Sequence, residues 1–224
     1  MARVGDMTAT QNNNQNQTVT MFFDAICPFA WVTSRWLMEV QEVRDVEVKF
    51  QPMSLSVLNE GRDLDPAYRE KMDAAWAPAR VATAIWQQRP DKLSAWYTAL
   101  GTKIHNEERA DATDPHGYDE LIAEALEEAE LPADLAKVGH LAADDEGSVD
   151  ALLRESQEKA IELVGDEVGT PVVQLGDVAF FGPVITRIPR GEEAGKLFDA
   201  SVTLAANPHF FELKRSRTEA PVAE

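Results

Sequence analysis

Residues 24–36 read DAICPFAWVTSRW, and this stretch holds the only cysteine of the 224-residue chain. Before it, TVTMFFDA (residues 18–25) is rich in β-branched and aromatic residues, which predicts a strand that runs into Cys27. From Pro28 onward the apolar residues recur at helical spacing, and proline suits a first helical position because its missing N–H needs no partner there. The stretch therefore predicts a strand, a turn that carries Cys27, and a helix.

The segments that follow continue a mixed α/β pattern. DVEVKFQPM (residues 45–53) alternates apolar and polar residues, as a half-buried strand does. Between residues 54 and 165 the strand signals disappear and amphipathic helical patterns replace them. GTPVVQLGDVAFFGPV (residues 169–184) then predicts two strands joined at Gly176-Asp177, and residues 191–206 predict a last helix. The predicted order is βαβ, helices, ββα.

This order predicts an α/β fold with a helical insertion. We expect residues 18–53 and 166–213 to form one α/β domain and residues 54–165 to form an inserted helical subdomain. Residues 1–17 are polar and rich in Asn and Gln, so we expect a disordered leader there. Residues 214–224 are expected to be a flexible tail.

Composition and charge restrict the classes of function. No apolar run is long enough to cross a membrane, and the first 17 residues lack the apolar region of a secretory signal. A single cysteine cannot form an internal disulfide, which suits a reducing compartment, so a cytoplasmic location is expected. The net charge of −18 disfavours nucleic acids and anionic membranes as partners because like charges repel. The sequence is compatible with a homodimer.

The predicted position of Cys27 favours reactivity. A cysteine at the start of a helix lies near the first backbone N–H groups and the positive end of the helix dipole. Both favour the thiolate, so the position predicts a lowered pKa and a nucleophilic sulfur at neutral pH. The alternative is a packing role, because free cysteines are commonly buried in cores. The Cys-Pro motif alone leaves both interpretations open.

Thr170-Pro171 at the start of a predicted strand is the second informative feature. Proline cannot donate a hydrogen bond to a sheet, and an X-Pro pair at this place is a candidate cis bond in a tight turn. In a βαβ…ββα order such a proline lies beside the cysteine turn and leaves the Thr170 backbone free to pair with a thiol-bearing substrate. The two features together favour the nucleophile over core packing, and a cis proline over an ordinary trans proline on an edge strand.

The other patterns that could indicate a metal or cofactor site are weak. The histidines are scattered and show no metal-like spacing with the cysteine. No glycine-rich segment matches a phosphate-binding or dinucleotide-binding loop. The sequence predicts no metal, no flavin and no other bound cofactor. The histidines are His105, His116, His140 and His209.

Six segments of the chain together resemble a known family. They are DAICPFAWVTSRWLMEV, MSLSVLNEGRDL, YTALGTKIHNEER, GTPVV, FFGPVITRIPRGEEAGKLFD and FFELKRSR. The family that they resemble is the actinobacterial mycothiol-dependent nitroreductase family, which belongs to the DsbA-like proteins. More broadly, the arrangement resembles the thioredoxin fold with a helical insertion, as in kappa-class glutathione transferases and hydroxychromene-carboxylate isomerases. The resemblance implies a thioredoxin-like fold with an inserted all-helical subdomain and covers almost everything after residue 18.

The resemblance also implies roles for individual residues. It implies that Cys27 is the nucleophilic thiol, that Pro28 and Phe29 shape its turn, and that Pro171 is the cis-proline. The position of the second sulfur in a Cys-x-x-Cys motif is Ala30, so Cys27 has no resolving partner within the chain. What remains is monothiol chemistry, in which Cys27 forms a mixed disulfide with a small thiol such as mycothiol and a second thiol molecule releases it.

Three further residues are weaker candidates for the substrate pocket. The resemblance places Asn59 and Tyr68 in the helical lid that covers the pocket, and it adds His105. For Asn59 and Tyr68 the alternative is capping and core packing. For His105 the alternative is a structural histidine.

The leading hypothesis is a thiol-dependent oxidoreductase. It would reduce disulfides or small electrophiles such as nitroaromatics, with mycothiol or a similar thiol as co-substrate. The first alternative is a kappa-type transferase or isomerase, in which Cys27 donates a hydrogen bond to an external thiolate. The second alternative is a non-catalytic domain that holds hydrophobic ligands or peptides.

Overall fold

A four-stranded mixed sheet forms one part of the molecule. The computed structural model describes residues 17–224, so the predicted leader lies outside the described residues except for its last residue. The strands are β1 (Gln17–Phe23), β2 (Val46–Pro52), β3 (Val172–Leu175) and β4 (Val178–Phe181). They lie in the order β2-β1-β3-β4, with β1 parallel to β2, β3 antiparallel to β1, and β4 antiparallel to β3. The predicted α/β fold is confirmed.

Eight α-helices accompany the sheet within residues 17–224. Six of them lie between β2 and β3 in the sequence. No helix within residues 17–224 is long and apolar enough to cross a membrane. The helices are α1 (Pro28–Val43), α2 (Leu55–Leu58), α3 (Pro66–Ala74), α4 (Trp76–Gln88), α5 (Leu93–Gly101), α6 (Asp119–Glu128), α7 (Asp150–Val164) and α8 (Gly191–Ala205), with 3-10 segments at Pro90–Lys92 and Ala133–His140 and a π-helical turn at Thr102–Asn106.

Helices α3 and α4 follow each other directly and are separated at Ala75. Pro78 supplies the physical reason. It has no N–H to donate to the carbonyl of Ala74, four residues earlier, and its ring would clash with that carbonyl in a continuous helix. Proline is tolerated only in the first turn of a helix, and α4 accordingly begins at Trp76.

Helix α8 is fixed to α1 by both apolar and charged contacts. Trp36 is fully buried, its Nε1 donates to the Ala194 carbonyl at 3.1 Å, and its ring lies 6.2 Å from that of Phe198. Burying a side chain of this size contributes about 1.5–3 kcal/mol or more. At the end of α1, Arg44 bridges Glu192 and Asp199 of α8 at 3.0 and 2.8 Å. These contacts hold α1, which carries Cys27 at its start, against the C-terminal part of the chain.

An aromatic cluster joins the helical part to the sheet. Tyr97 of α5 stacks on Phe23 of β1 with the ring centroids 4.0 Å apart, and it meets the edge of Phe50 of β2 at 5.5 Å. All three side chains belong to one continuous apolar core. Helix α5 therefore covers the sheet at the end where β1 leads into the Cys27 turn.

A buried ion pair connects α4 to the start of α7. Arg80 Nε and Nη2 donate to the two carboxylate oxygens of Asp150 at 2.7 and 2.9 Å, and the side chain of Asp150 is only 5% exposed. The guanidinium also lies 4.7 Å above the Trp76 ring. An exposed pair nearby, Arg154 with Glu60, has side chains 41% and 53% exposed.

We expect Asp150→Ala to lower the free energy of unfolding by about 3–5 kcal/mol, because it leaves the Arg80 charge buried without its partner. Glu60→Ala is the matched control and should cost about 0–1 kcal/mol, since water screens the exposed pair. Urea denaturation of the three proteins measures both values. Equal losses in the two variants would show that burial does not distinguish the pairs.

Candidate active site

The Cys27 turn joins the end of β1 to the start of α1. Cys27 is the N-cap of α1, with φ −78° and ψ 115°, and Pro28 is the first helical residue. The Cys27 N–H donates to the Asp24 carbonyl at 3.1 Å, and the N–H of Trp31 donates to the Cys27 carbonyl at 3.0 Å. The predicted strand, turn and helix therefore form as the sequence indicated, and the sulfur lies at the helix N-terminus.

The structure brings Cys27 together with Thr170. Cys27 is buried, with 6% of the residue exposed, and its Sγ donates to the Thr170 carbonyl at 3.5 Å across 143 residues of sequence. The peptide bond between Thr170 and Pro171 is cis. The Thr170 backbone was expected to be free to pair with a thiol-bearing substrate, but in this structure its carbonyl accepts from the thiol.

The predicted direction of the Cys27 pKa is wrong for this structure. Burial raises the pKa of the thiol, because a buried thiolate loses its water. The Thr170 side chain and the N–H groups of Phe29 and Ala30 lower it, but by less, and the nearby Asp24 carboxylate raises it further. The helix terminus therefore does not overcome burial, and Cys27 is a protonated hydrogen-bond donor in this structure.

Asp24 is a site residue that the sequence reasoning missed. Its side chain is buried, and its two oxygens accept from the Ile26 N–H at 3.0 Å and the Leu55 N–H at 2.6 Å. Burial raises the pKa of Asp24 to about 6, although these two backbone hydrogen bonds lower it. An aspartate between Phe23 and Ala25 was a usable signal, because carboxylates are rarely buried without partners. Asp24 fixes the Cys27 turn to the start of α2.

His105 lies beside the turn as a neutral, structural group. Its Nε2 lies 2.8 Å from the Ala25 carbonyl, which can only accept, so Nε2 carries the proton. The ring stacks on Trp31 with the centroids 5.6 Å apart. Burial lowers the pKa of His105 to about 4, so the ring is uncharged at neutral pH. These contacts match the alternative interpretation of His105, that of a structural histidine.

Trp31 forms the floor under the turn. The Arg35 guanidinium lies 4.4 Å from its ring, on which His105 also stacks, and its Nε1 donates to Asn106 Oδ1 at 3.1 Å. Gly101 approaches so closely that a Cβ there would lie 2.2 Å from the Trp31 ring. Only glycine fits at residue 101, which explains how α5 can pack directly against this ring.

The two remaining pocket candidates lie farther along the chain. Asn59 is buried at the end of α2, and its Nδ2 donates to the Leu55 carbonyl at 2.8 Å, which is a capping contact. Tyr68 lies on α3 and is 40% exposed. None of the hydrogen bonds described within residues 17–224 joins Tyr68 to the Cys27 turn. Their role as pocket residues stays a prediction.

The end of the chain lies on the same side as the turn. The guanidinium of Arg217 lies 4.8 Å from the ring of Phe29. Asn106 Nδ2 donates to the Ala223 carbonyl at 2.6 Å, and the Val222 N–H donates to the Thr186 carbonyl at 2.8 Å. We call residues 217–223 the C-terminal strap. Through Asn106 the strap is linked to Trp31, the floor of the site.

Comparisons with known proteins agree with this geometry. Residues 26–215 match the family described as Rv2466c-like, mycothiol-dependent nitroreductase Rv2466c. An uncharacterized protein of Mycobacterium tuberculosis, Rv2286c, is 27% identical over 211 residues, which are 92% of this chain and 84% of that protein.

Two solved structures show the same fold. A probable DsbA oxidoreductase from Streptomyces coelicolor superposes with a TM-score of 0.54 at 17% identity, over 91% of this chain and 95% of that one. A periplasmic thioredoxin-like protein from Salmonella enterica serovar Typhimurium superposes with a TM-score of 0.51 at 20% identity, over 85% and 84% of the two chains. The predicted thioredoxin-like fold of the DsbA type is confirmed.

The raised pKa of Cys27 leads to a test of its reactivity. We expect alkylation of the folded protein by iodoacetamide to rise with pH about a midpoint above ~8.5, the value of a free cysteine. At neutral pH the rate should be lower than that of the same protein unfolded in urea, since a raised pKa lowers the thiolate fraction. A midpoint below pH 7 would show that the helix terminus outweighs burial at this thiol.

The raised pKa of Asp24 leads to a test of stability. Between the ordinary pKa of an aspartate and about 6, the folded state binds more protons than the unfolded state, so stability falls as the pH rises. From pH 4 to pH 7 we expect wild type to lose about 2 kcal/mol of unfolding free energy relative to Asp24→Asn, which cannot titrate. Urea denaturation across this pH range gives the difference. Parallel pH profiles would show that Asp24 does not titrate as a buried acid.

Proposed function

Because this chain belongs to the Rv2466c-like family of mycothiol-dependent nitroreductases, we propose that it is a monothiol oxidoreductase in which Cys27 and mycothiol share the sulfur chemistry. Members of this family are thiol-dependent oxidoreductases. The observation that carries the proposal is the placement of Cys27 Sγ at the N-terminus of α1, against the Thr170 carbonyl. Ala30 occupies the position of the second cysteine in a Cys-x-x-Cys motif, so the second sulfur must come from outside the chain.

The proposed cycle with a disulfide substrate balances in three exchanges. The Cys27 thiolate attacks one substrate sulfur, the substrate disulfide breaks, and one substrate thiolate leaves. A first mycothiol thiolate attacks Cys27 Sγ, which releases the second substrate thiolate and leaves mycothiol on Cys27. A second mycothiol attacks that adduct, forms mycothiol disulfide and restores Cys27. Two mycothiols are thereby oxidised, and the substrate gains two electrons.

The same stoichiometry applies to a nitroaromatic. Two mycothiols reduce the nitro group to a nitroso group, and the products are mycothiol disulfide and one water. In this reaction the chain binds mycothiol and the nitroaromatic together, and the two electrons come from the mycothiol sulfurs. The electron balance therefore requires no metal or flavin. The proposal includes a reducing compartment such as the cytoplasm, where a single thiol stays reduced.

Activation of Cys27 depends on what replaces its contact with Thr170. In this structure the thiol is protonated and donates to the Thr170 carbonyl. A water molecule that enters between them with the substrate would donate one hydrogen bond to the Thr170 carbonyl and another to the developing thiolate, and the thiol proton would pass to solvent. We infer that Cys27 loses its proton on substrate binding and not before.

The protonated thiol also favours a second candidate function. A buried cysteine with a raised pKa is a hydrogen-bond donor, as a kappa-type transferase or isomerase requires for an external thiolate. In that function Cys27 forms no covalent bond. The two candidates therefore differ in one measurable species, the mixed disulfide between Cys27 and mycothiol.

Intact mass after incubation with oxidised mycothiol tests the proposal. We expect wild type to gain one mycothiol and Cys27→Ser to gain none. Ala30→Cys is the matched variant, because the introduced thiol would attack the adduct and close an internal disulfide, so less adduct should remain. Mycothiol-dependent turnover of a nitroaromatic should fall at least about 100-fold in Cys27→Ser, the loss of a nucleophile being of this order or larger.

The outcomes separate the candidates. Loss of turnover on alkylation of Cys27, with no trapped adduct in wild type, would replace the proposal with the hydrogen-bond-donor function. Unchanged turnover in Cys27→Ser would remove Cys27 from the chemistry altogether. Circular dichroism of each variant establishes that the fold is retained.

A further inference from the structure

Three potential metal ligands meet on the helical part of the chain, outside the Cys27 site. His116 precedes α6, Asp119 is the first residue of α6, and His140 ends the 3-10 segment Ala133–His140. His116 Nδ1 lies 2.8 Å from one Asp119 oxygen, and His140 Nε2 lies 2.7 Å from the other. One ligand atom from each of the three residues lies within 4.8 Å of the other two. We call these residues the His-Asp-His cluster.

The backbone around His116 is fixed independently of the cluster. The His116 N–H donates to Asp114 Oδ1 at 2.9 Å, and the Asp119 N–H donates to the His116 carbonyl at 3.0 Å. A Cβ on Gly117 would lie 1.9 Å from the Asp111 carbonyl oxygen, so only glycine permits this turn. His116 and Asp119 are therefore presented on one side of a tight turn.

His140 is held in place from the other side. Arg80 Nη1 donates to the carbonyl of Gly139 at 3.3 Å, and the same guanidinium is fixed by Asp150. Gly139 is buried against Ala77, where a Cβ would lie 3.2 Å from that of Ala77. The residue that precedes His140 is thus packed into the helical part, while His140 itself remains 41% exposed at the surface.

The donor set matches a particular class of cation. Two imidazole nitrogens and one carboxylate oxygen are typical ligands of zinc and of neighbouring transition metals, whereas magnesium and calcium prefer oxygen ligands alone. The side chains of His116 and Asp119 are 69% and 40% exposed, which leaves room for water as a further ligand. The net charge of −18 raises the local concentration of cations.

We propose that the His-Asp-His cluster binds one divalent transition-metal ion of the zinc class. The ion takes the place of the hydrogen bond between each imidazole and Asp119, and the proton of each ligating nitrogen passes to solvent or to the other ring nitrogen. Ligand atoms around tetrahedral zinc lie about 3.3 Å apart, so the two nitrogen-to-oxygen separations must open by about half an ångström. Exposed side chains allow this by small rotations. The bound ion connects the start of α6 to the end of the 3-10 segment, 21 residues later in the sequence.

Calorimetric titration of the full chain, carrying no histidine tag, tests the proposal with zinc chloride and magnesium chloride. We expect one zinc per chain and no comparable binding of magnesium. Asp119→Asn and His140→Ala should each weaken zinc binding at least about 100-fold, because even partners outside the ligand shell are worth 10–100-fold. His209→Ala, which removes an exposed histidine outside the cluster, is the matched control and should leave zinc binding unchanged.

Specific results would overturn the proposal. The proposal fails if wild type does not bind zinc, if it binds zinc and magnesium equally well, or if Asp119→Asn and His140→Ala leave zinc binding unchanged. Loss of zinc binding in Cys27→Ser would assign the ion to the thiol instead. The electronic spectrum of the cobalt-loaded protein is the second measurement: a nitrogen and oxygen site lacks the intense thiolate-to-metal bands that a cysteine ligand gives. His116→Ala provides another variant if His140→Ala fails to fold.

Discussion

The carboxylate of Asp24 holds together the end of this molecule that carries Cys27. It accepts hydrogen bonds from the N–H groups of Ile26 and Leu55, and its own backbone carbonyl accepts from Cys27. One residue thereby joins the end of β1, the turn that carries the sulfur, and the start of α2. Burying a carboxylate is costly, and two backbone donors offset part of that cost. The position of Sγ relative to Thr170 depends on this arrangement, together with the contact of His105 with the Ala25 carbonyl and that of the Trp31 N–H with the Cys27 carbonyl.

Local patterns in the sequence were sufficient for the fold. Alternation around Val48, the change of periodicity at Pro28 and the turn at Gly176-Asp177 are short-range signals, and the strands and helices follow them. The proximity of Cys27 and Thr170 was also predictable, since the order of elements places the two turns at the same edge of the sheet.

Properties that depend on burial were not predictable. The rule that a helix N-terminus lowers a thiol pKa assumes access to water, and the packing that removes this access involves residues 143 positions apart. Asp24 was overlooked for the same reason, because its donors come from a helix beyond β2 as well as from its own turn. In the His-Asp-His cluster, the spacing of His116 and Asp119 is a local signal. The approach of His140 depends on how the 3-10 segment packs against α4, which no local pattern reveals.

Ala30 lies where a Cys-x-x-Cys motif has its second cysteine, and this affects the kinetics of any sulfur exchange at Cys27. In a two-cysteine enzyme, a neighbouring thiol attacks the mixed disulfide from a fixed distance and keeps it short-lived. Ala30 is fully buried and offers no such group. In the proposed cycle the lifetime of a mixed disulfide on Cys27 would therefore depend on the concentration of free small thiol.

The C-terminal strap has a practical consequence for handling this protein. Arg217 lies over Phe29, and the Ala223 carbonyl is bonded to Asn106, so anything appended after Glu224 departs from the face that carries the Cys27 turn. A fluorescent or affinity fusion at that end would compete with incoming molecules for space. Strand β1, by contrast, begins at Gln17, and this end of the strand lies about 20 Å from the end that leads into the Cys27 turn. A label attached near Gln17 therefore lies away from the Cys27 turn.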